Sequence, residues 1–168
     1  MNTRRITRGA VIAAMYVVLT VTPGLNALSF SGVQFRVSEM LMPLAAFEPA
    51  AIPGLWIGCM IANYLGSPFG WIDVTLGAAL TLASALVIRW AGTRWVSMSS
   101  LAAPVILNAL GVAYIIMVAS PESDGVLFWP TALSVGIGEA AVMAVLGAPL
   151  FVLLKRNPQA IGLGLEQR

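Results

Sequence analysis

Six apolar runs follow one another along this chain of 168 residues, separated only by short turns and loops. They are Ile6–Thr22, stopped by Pro23-Gly24; Ser38–Phe47, ended by Glu48-Pro49; Ala50–Leu65, ended by Gly66-Ser67-Pro68; Trp71–Ala91; about Leu101–Ala119; and about Pro130–Leu154. A helix that crosses a bilayer needs about 20 apolar residues, with a range of about 17–25. The second and third runs are short. Tilt, or extension into the flanking loops, lets them cross; a re-entrant second segment is the alternative. Composition agrees with membrane insertion: 59% of residues are hydrophobic and 10% charged, against about 25% charged in a soluble domain. The sequence predicts an all-α membrane protein, a bundle of six transmembrane helices over residues 1–156, with a short cytoplasmic tail at 157–168.

Lys and Arg mark the cytoplasmic side of such a bundle. With six crossings, Arg4, Arg5, Arg8, Arg89, Arg94, Lys155, Arg156 and Arg168 collect on one side. Arg36 stands alone on the other, with Glu122 and Asp124 of the loop Ser120–Trp129. Both termini are therefore expected in the cytoplasm. The same distribution explains the net charge of +2. The basic residues meet anionic headgroups, and no aromatic-plus-basic stripe points to nucleic acid. Trp71 and Trp129 at outer helix ends, and Trp90 and Trp95 near an inner one, form the expected interfacial belt. Arg4, Arg5 and Arg8 before an apolar run have the form of a signal peptide. More apolar runs follow, so the first is read as a retained membrane helix.

The chain has no histidine and a single cysteine, Cys59. This removes the commonest general base and metal ligand, argues against a zinc site and excludes an intramolecular disulfide. Cys59 sits in an apolar run and reads as a small packing residue. No nucleophile–base pair is visible, so the chain is not expected to be an enzyme, and no cofactor is implied. There is no GxxxxGK[ST] phosphate loop and no segment to house a nucleotide domain. The chain is small for an internally repeated secondary transporter. Uptake against a gradient thus points to an ATPase partner, with a stand-alone ion-coupled carrier as the alternative.

Ionisable groups in hydrocarbon cost about 2.5–3.5 kcal/mol on insertion scales and usually face a cavity or a partner. Glu139 lies about nine residues into the sixth run from its outer end, in the outer half of the membrane at about 1.5 Å per residue. Asp73 is near the outer start of the fourth run, Asn63 near the outer end of the third, and Asn108 near the middle of the fifth. Arg36 and Glu39 flank the outer start of the second. These residues converge on a pocket open to the outside above a dry floor. Structural roles remain open for several. Asp73 suits a helix N-cap, Arg36 and Glu39 an ion pair three residues apart, and the two asparagines interhelical hydrogen bonds. An ionised Glu139 accepts hydrogen bonds only, so it suits a cation, a guanidine-like edge, or adjacent N–H donors of a guanine-type base. The aromatic side chains of Trp71, Tyr64 and Phe69 suit stacking on a flat ring or interfacial anchoring. On the first helix, Ala10 and Ala14 stand four apart, as do Gly9 and Ala13, a spacing that admits a close neighbouring helix, external or internal.

The stretch VQFRVSEMLMPLAAFEPAAIPGLWIGCMIANYLGS (residues 33–67), the following WIDVTLGAALTLASAL and the later GIGEAAVMAVLGAPL together resemble the QueT family. FRVSE, GLWIGCMIANYLG and GIGE discriminate most. QueT proteins are substrate-binding S-components of energy-coupling factor (ECF) transporters for queuosine precursors. The resemblance implies a six-helix, multi-pass protein of a prokaryotic cell membrane that binds a pterin-like or 7-deazaguanine base from outside, with an S-component for another vitamin-like heterocycle as the alternative. It also implies a transmembrane coupling subunit and two cytoplasmic ATPase subunits as partners, with Ala10 and Ala14 as the docking contact. It favours Arg36, Glu39, Asn63, Asp73 and Glu139 as pocket residues. In the mechanism expected, Glu139 accepts from the donor edge of the base, Asp73 or Asn63 orients it, and the Pro23–Val37 loop closes over it.

Overall fold

The computed structural model describes residues 3–31, 33–94, 98–119 and 127–157, and these form helices and turns without a strand. Trp95, Glu122, Asp124, Arg168 and the tail after Asn157, which enter the expected topology, lie outside the described residues. The elements are α1 (Thr3–Val21), α2 (Leu25–Ser29), a 3₁₀ turn (Val37–Leu41), α3 (Leu44–Phe47), α4 (Ala51–Gly66), a π-helical turn (Asp73–Gly77) leading into α5 (Ala78–Arg94), a 3₁₀ turn (Met98–Leu101) leading into α6 (Ala102–Ala119), α7 (Phe128–Val142), a second π-helical turn (Met143–Gly147) and α8 (Ala148–Arg156).

Three continuous helical stretches are long and apolar enough to cross a membrane: Asp73–Ala91, Met98–Ala119 and Phe128–Arg156. Val37–Phe47 and Ala51–Gly66 are apolar but shorter. The distribution of side chains inverts that of a water-soluble protein. Ile6, Val11, Val18, Leu86, Leu133 and Val145 are exposed, whereas Arg36, Glu39, Asp73 and Glu139 are buried. In water, charged side chains are almost never fully buried. A lipid-facing surface requires this inversion, with backbone hydrogen bonds closed inside helices. Among the described residues the chain is all-helical, with three stretches long and apolar enough to cross a membrane.

The second apolar run differs most from a regular crossing helix. It is a 3₁₀ turn and a single helical turn, broken at Met42-Pro43, because proline supplies no N–H for a continuous ladder. Leu41 through Ala46 are all buried. A segment apolar on every side belongs in the interior, and this one runs through the middle of the bundle. The Arg8 guanidinium meets Glu48 at 2.8 Å at its far end, and Arg89 donates to the Ala46 carbonyl at 3.0 Å. Phe47 packs against Phe151, ring centroids 5.4 Å apart.

α1 lies along α4, and α6 along α7. The α1–α4 contact depends on glycine. A Cβ on Gly54 would stand 2.6 Å from the Gly9 carbonyl oxygen, and one on Gly58 3.0 Å from the Ala13 Cα. The Gly9/Ala13 stripe is thus an internal packing surface, and Ala10 and Ala14, on the adjoining face, stay exposed.

Candidate functional site

Beneath this packing, the buried polar residues meet in one cluster. The 3₁₀ turn carries two of its charges: Glu39 is fully buried, and Arg36, immediately before the turn, is 4% exposed. α1 holds the turn in place. The Tyr16 hydroxyl donates to Glu39 Oε1, and one turn further on Thr20 Oγ1 donates to Ser38 Oγ at 2.7 Å. Arg36 extends the other way. Its Nη2 lies 3.8 Å from Asp73 Oδ2, and its guanidinium sits over the Phe30 ring, 5.2 Å from the centroid, within cation–π range. Among the described residues, Arg36 is therefore paired with Asp73, not with Glu39.

α4 and the first π-turn supply the next layer. Asn63 Nδ2 donates to the Asp73 carbonyl at 2.8 Å and lies 3.5 Å from Cys59 Sγ. Thr81 Oγ1 donates to the same sulfur at 3.2 Å, and Arg36 Nη1 approaches it at 3.9 Å. Cys59 is thus more than a packing residue: its sulfur gathers donors from three directions. Asp73 is not a cap. No side chain caps the turn, and neither carboxylate oxygen of Asp73 accepts a hydrogen bond. π-turns of this kind recur at functional sites.

α6 and α7 close the cluster. Asn108 Nδ2 donates to Glu139 Oε1, so both asparagines link separate helices. α7 reaches the interior because Gly138 has no side chain: a Cβ there would lie 2.6 Å from the Gln34 carbonyl oxygen. Glu139 is thereby seated beside the segment that carries Arg36 and Glu39, within electrostatic reach of both.

Among the described residues, besides Ser29 Oγ and Ser84 Oγ, the buried side-chain atoms left without a hydrogen bond all belong to this cluster. Arg36 Nε and Nη2, Glu39 Oε2, Asn63 Oδ1, Asp73 Oδ1 and Oδ2, and Glu139 Oε2 are buried and make no hydrogen bond within the protein. Each such group costs about 1–3 kcal/mol, and more when charged. Four elements bring these atoms together: the 3₁₀ turn with the residue before it, α4, the first π-turn and α7.

The expected stacking residues lie elsewhere. Tyr64 and Trp71 are 63% and 71% exposed and pack on each other, centroids 5.6 Å apart. The Pro23–Val37 stretch is not an open loop: it contains α2, and it buries Ser29, Gln34 and Arg36. Sequence reasoning missed Tyr16, Cys59 and Thr81. A tyrosine in the middle of an apolar run with Thr20 one turn later was the available signal for the first. On the outside of the bundle, Gly9, Ala10, Ala13, Ala14, Gly54 and Ile57 help line a groove of about 820 Å³.

The family model described as QueT transporter matches residues 6–156. A curated relative, the queuosine precursor transporter QueT of Lactococcus lactis subsp. cremoris (strain MG1363), is 52% identical over 73 residues. That match covers 44% of this chain and 42% of the relative's length. No solved structure gives a significant match. With nearly its whole length matched, the chain belongs to the QueT transporter family.

Proposed function

We propose that this protein is the membrane-embedded substrate-binding component of an ATP-driven importer of the ECF type, and that its cargo is a queuosine precursor, a 7-deazaguanine base. The observation that carries the reading is the set of buried, unsatisfied polar atoms on Arg36, Glu39, Asn63, Asp73 and Glu139. A solute that donates to the acceptors and accepts from Arg36 offsets their desolvation. Glu139 takes the donor edge of the base, with Asn108 fixing the carboxylate. Asp73 and Asn63 orient the ring, and Glu39 and Arg36 complete its polar surround. Tyr64 and Trp71 serve at the mouth, as a ring pair met before entry.

All six apolar runs cross, with both termini in the cytoplasm. The second run is short, and its 3₁₀ turn, which rises faster than an α-helix, together with tilt or extension into the flanking residues, lets it cross. The exposed Ala10 and Ala14 stripe, in a groove of small residues, receives a helix of the transmembrane coupling subunit. Two cytoplasmic ATPases, acting through that subunit, drive reorientation and release.

The test is reconstitution. The purified chain in nanodiscs should bind a 7-deazaguanine base, and vesicles should accumulate that base only when the coupling subunit, both ATPases and ATP are present. Accumulation by the chain alone, driven by an ion gradient without ATP, would replace this reading with an ion-coupled carrier.

A further inference from the structure

A second groove, of about 570 Å³, runs along the other flank of α1 from the Ala10/Ala14 stripe, bordered by α1, the second apolar run and α8. Its ends differ in chemistry. One end carries Arg4 and Arg8, with Glu48 from the end of the second run. Beyond them the walls are apolar: Val11 and Met15 on α1, Leu44 on the second run and Leu150 on α8. Residues 4, 8, 11 and 15 fall on one face of a helix. Two guanidiniums therefore head a continuous apolar wall, on which Val11 and Met15 are exposed. Glu48 is the one carboxyl among the described residues lining the groove. Its Oε2 meets Arg8 Nη1 at 2.8 Å, and its Oε1 accepts from the Ala50 amide at 3.0 Å. The head thus sets two positive charges against one negative, and Glu48 fixes the Arg8 guanidinium in position there.

We infer that this groove seats one anionic phospholipid, with its phosphate on Arg4 and Arg8 and an acyl chain along Val11, Met15 and Leu44. Depth favours a lipid over a partner helix. From Arg4 to Met15 the wall is about 17 Å long at about 1.5 Å per residue, just over half of a hydrocarbon core of about 30 Å. The lining on α1 ends there, so the groove is one leaflet deep, whereas a spanning helix would follow α1 past the midplane. An amphiphile matches charge at one end and hydrocarbon along the rest. The sign of the charge selects an anion: basic pockets between helices on the cytoplasmic side take anionic headgroups, and arginine offers phosphate a fork of donors. The topology proposed above puts Arg4 and Arg8 in that leaflet. A lipid seated here braces α1 against the second run and α8, independently of the cargo in the buried cluster.

The experiment offers the full chain, in detergent, equal amounts of phosphatidylglycerol and phosphatidylcholine with the same acyl chains, and counts bound lipid by native mass spectrometry. One phosphatidylglycerol per chain should be retained, in about fivefold preference to phosphatidylcholine, the ratio expected for one basic charge at the headgroup. Arg4→Gln should abolish the preference. Arg5→Gln removes the same charge from the next residue, which lines the other groove, and should leave the preference intact. Val11→Trp, at an exposed position on the wall, should obstruct the acyl chain and lower retention of both lipids. A preference that survives Arg4→Gln, or that Arg5→Gln removes equally, would overturn the site, because diffuse surface charge then accounts for the retention. Unchanged lipid retention in Val11→Trp would also overturn it, and loss of the coupling subunit from that variant would then identify a protein as the occupant.

Discussion

The Tyr16 hydroxyl, on α1, donates its hydrogen bond to Glu39, on the 3₁₀ turn, with both side chains fully buried. This contact joins the helix that carries the exposed Ala10/Ala14 stripe to the acidic side of the polar cluster. Tyr16→Phe keeps the ring and removes the donor, leaving Glu39 with both oxygens unsatisfied. An orphaned buried polar group costs about 1–3 kcal/mol, and more when charged. The expected outcome is a fall in affinity for a 7-deazaguanine base of about tenfold, measured by calorimetry, with helix content by circular dichroism unchanged.

Gly77 closes the first π-turn directly under Asp73. A Cβ at this position would stand 2.9 Å from Asn63 Nδ2 and closer still to Asp73 Oδ1. Gly77→Ala should displace the carboxylate from the cluster at a cost of about 1–3 kcal/mol, as overpacking does. Thermal unfolding in detergent should show a lowered midpoint, and the same variant should bind base more weakly.

The groove on α1 and the buried cluster occupy different surfaces, so they should separate genetically. Ala10→Leu with Ala14→Leu fills the exposed stripe without touching the Gly9/Ala13 face against α4. Base binding by the isolated chain should be unchanged, whereas co-purification with the coupling subunit should be lost. Retained co-purification would remove this stripe from the docking surface.

Glu48 is buried beside the exposed-to-intermediate Arg8, its side chain 5% exposed against 37% for the arginine. Glu48 also accepts from the Ala50 amide at 3.0 Å, at the start of α4. Arg8→Gln removes the cation but not the carboxylate. The expected loss is about 1–2 kcal/mol, between the values for exposed and buried pairs, read as a lower unfolding midpoint with base affinity intact.

Much of this arrangement was legible from the chain. Long apolar runs separated by Pro and Gly gave the helices, and rare polar residues within them gave Arg36, Glu39, Asn63, Asp73, Asn108 and Glu139, which the fold gathers at one buried cluster. Their pairings were not legible. Arg36 and Glu39 are three residues apart, yet tertiary packing sends one to Asp73 and the other to Tyr16. The break at Pro43 follows from the proline itself, but a count of apolar residues passes over it, and no local periodicity encodes the π-turns. Tyr64 and Trp71 are flat rings of the expected type, but only the packing of α4 against the π-turn determines that they face outward. Cys59 looked apolar because hydropathy says nothing about the donors that converge on its sulfur.

The central claim is that the unsatisfied atoms of the buried cluster hold a solute, and the affinity of the Glu139→Gln chain for a 7-deazaguanine base tests it most directly. Replacing one acceptor oxygen by an NH₂ donor reverses the hydrogen bond offered there. Wild-type protein should bind one base per chain, and the variant, equally helical, should bind at least about tenfold more weakly. Equal affinity in the two proteins would contradict the account.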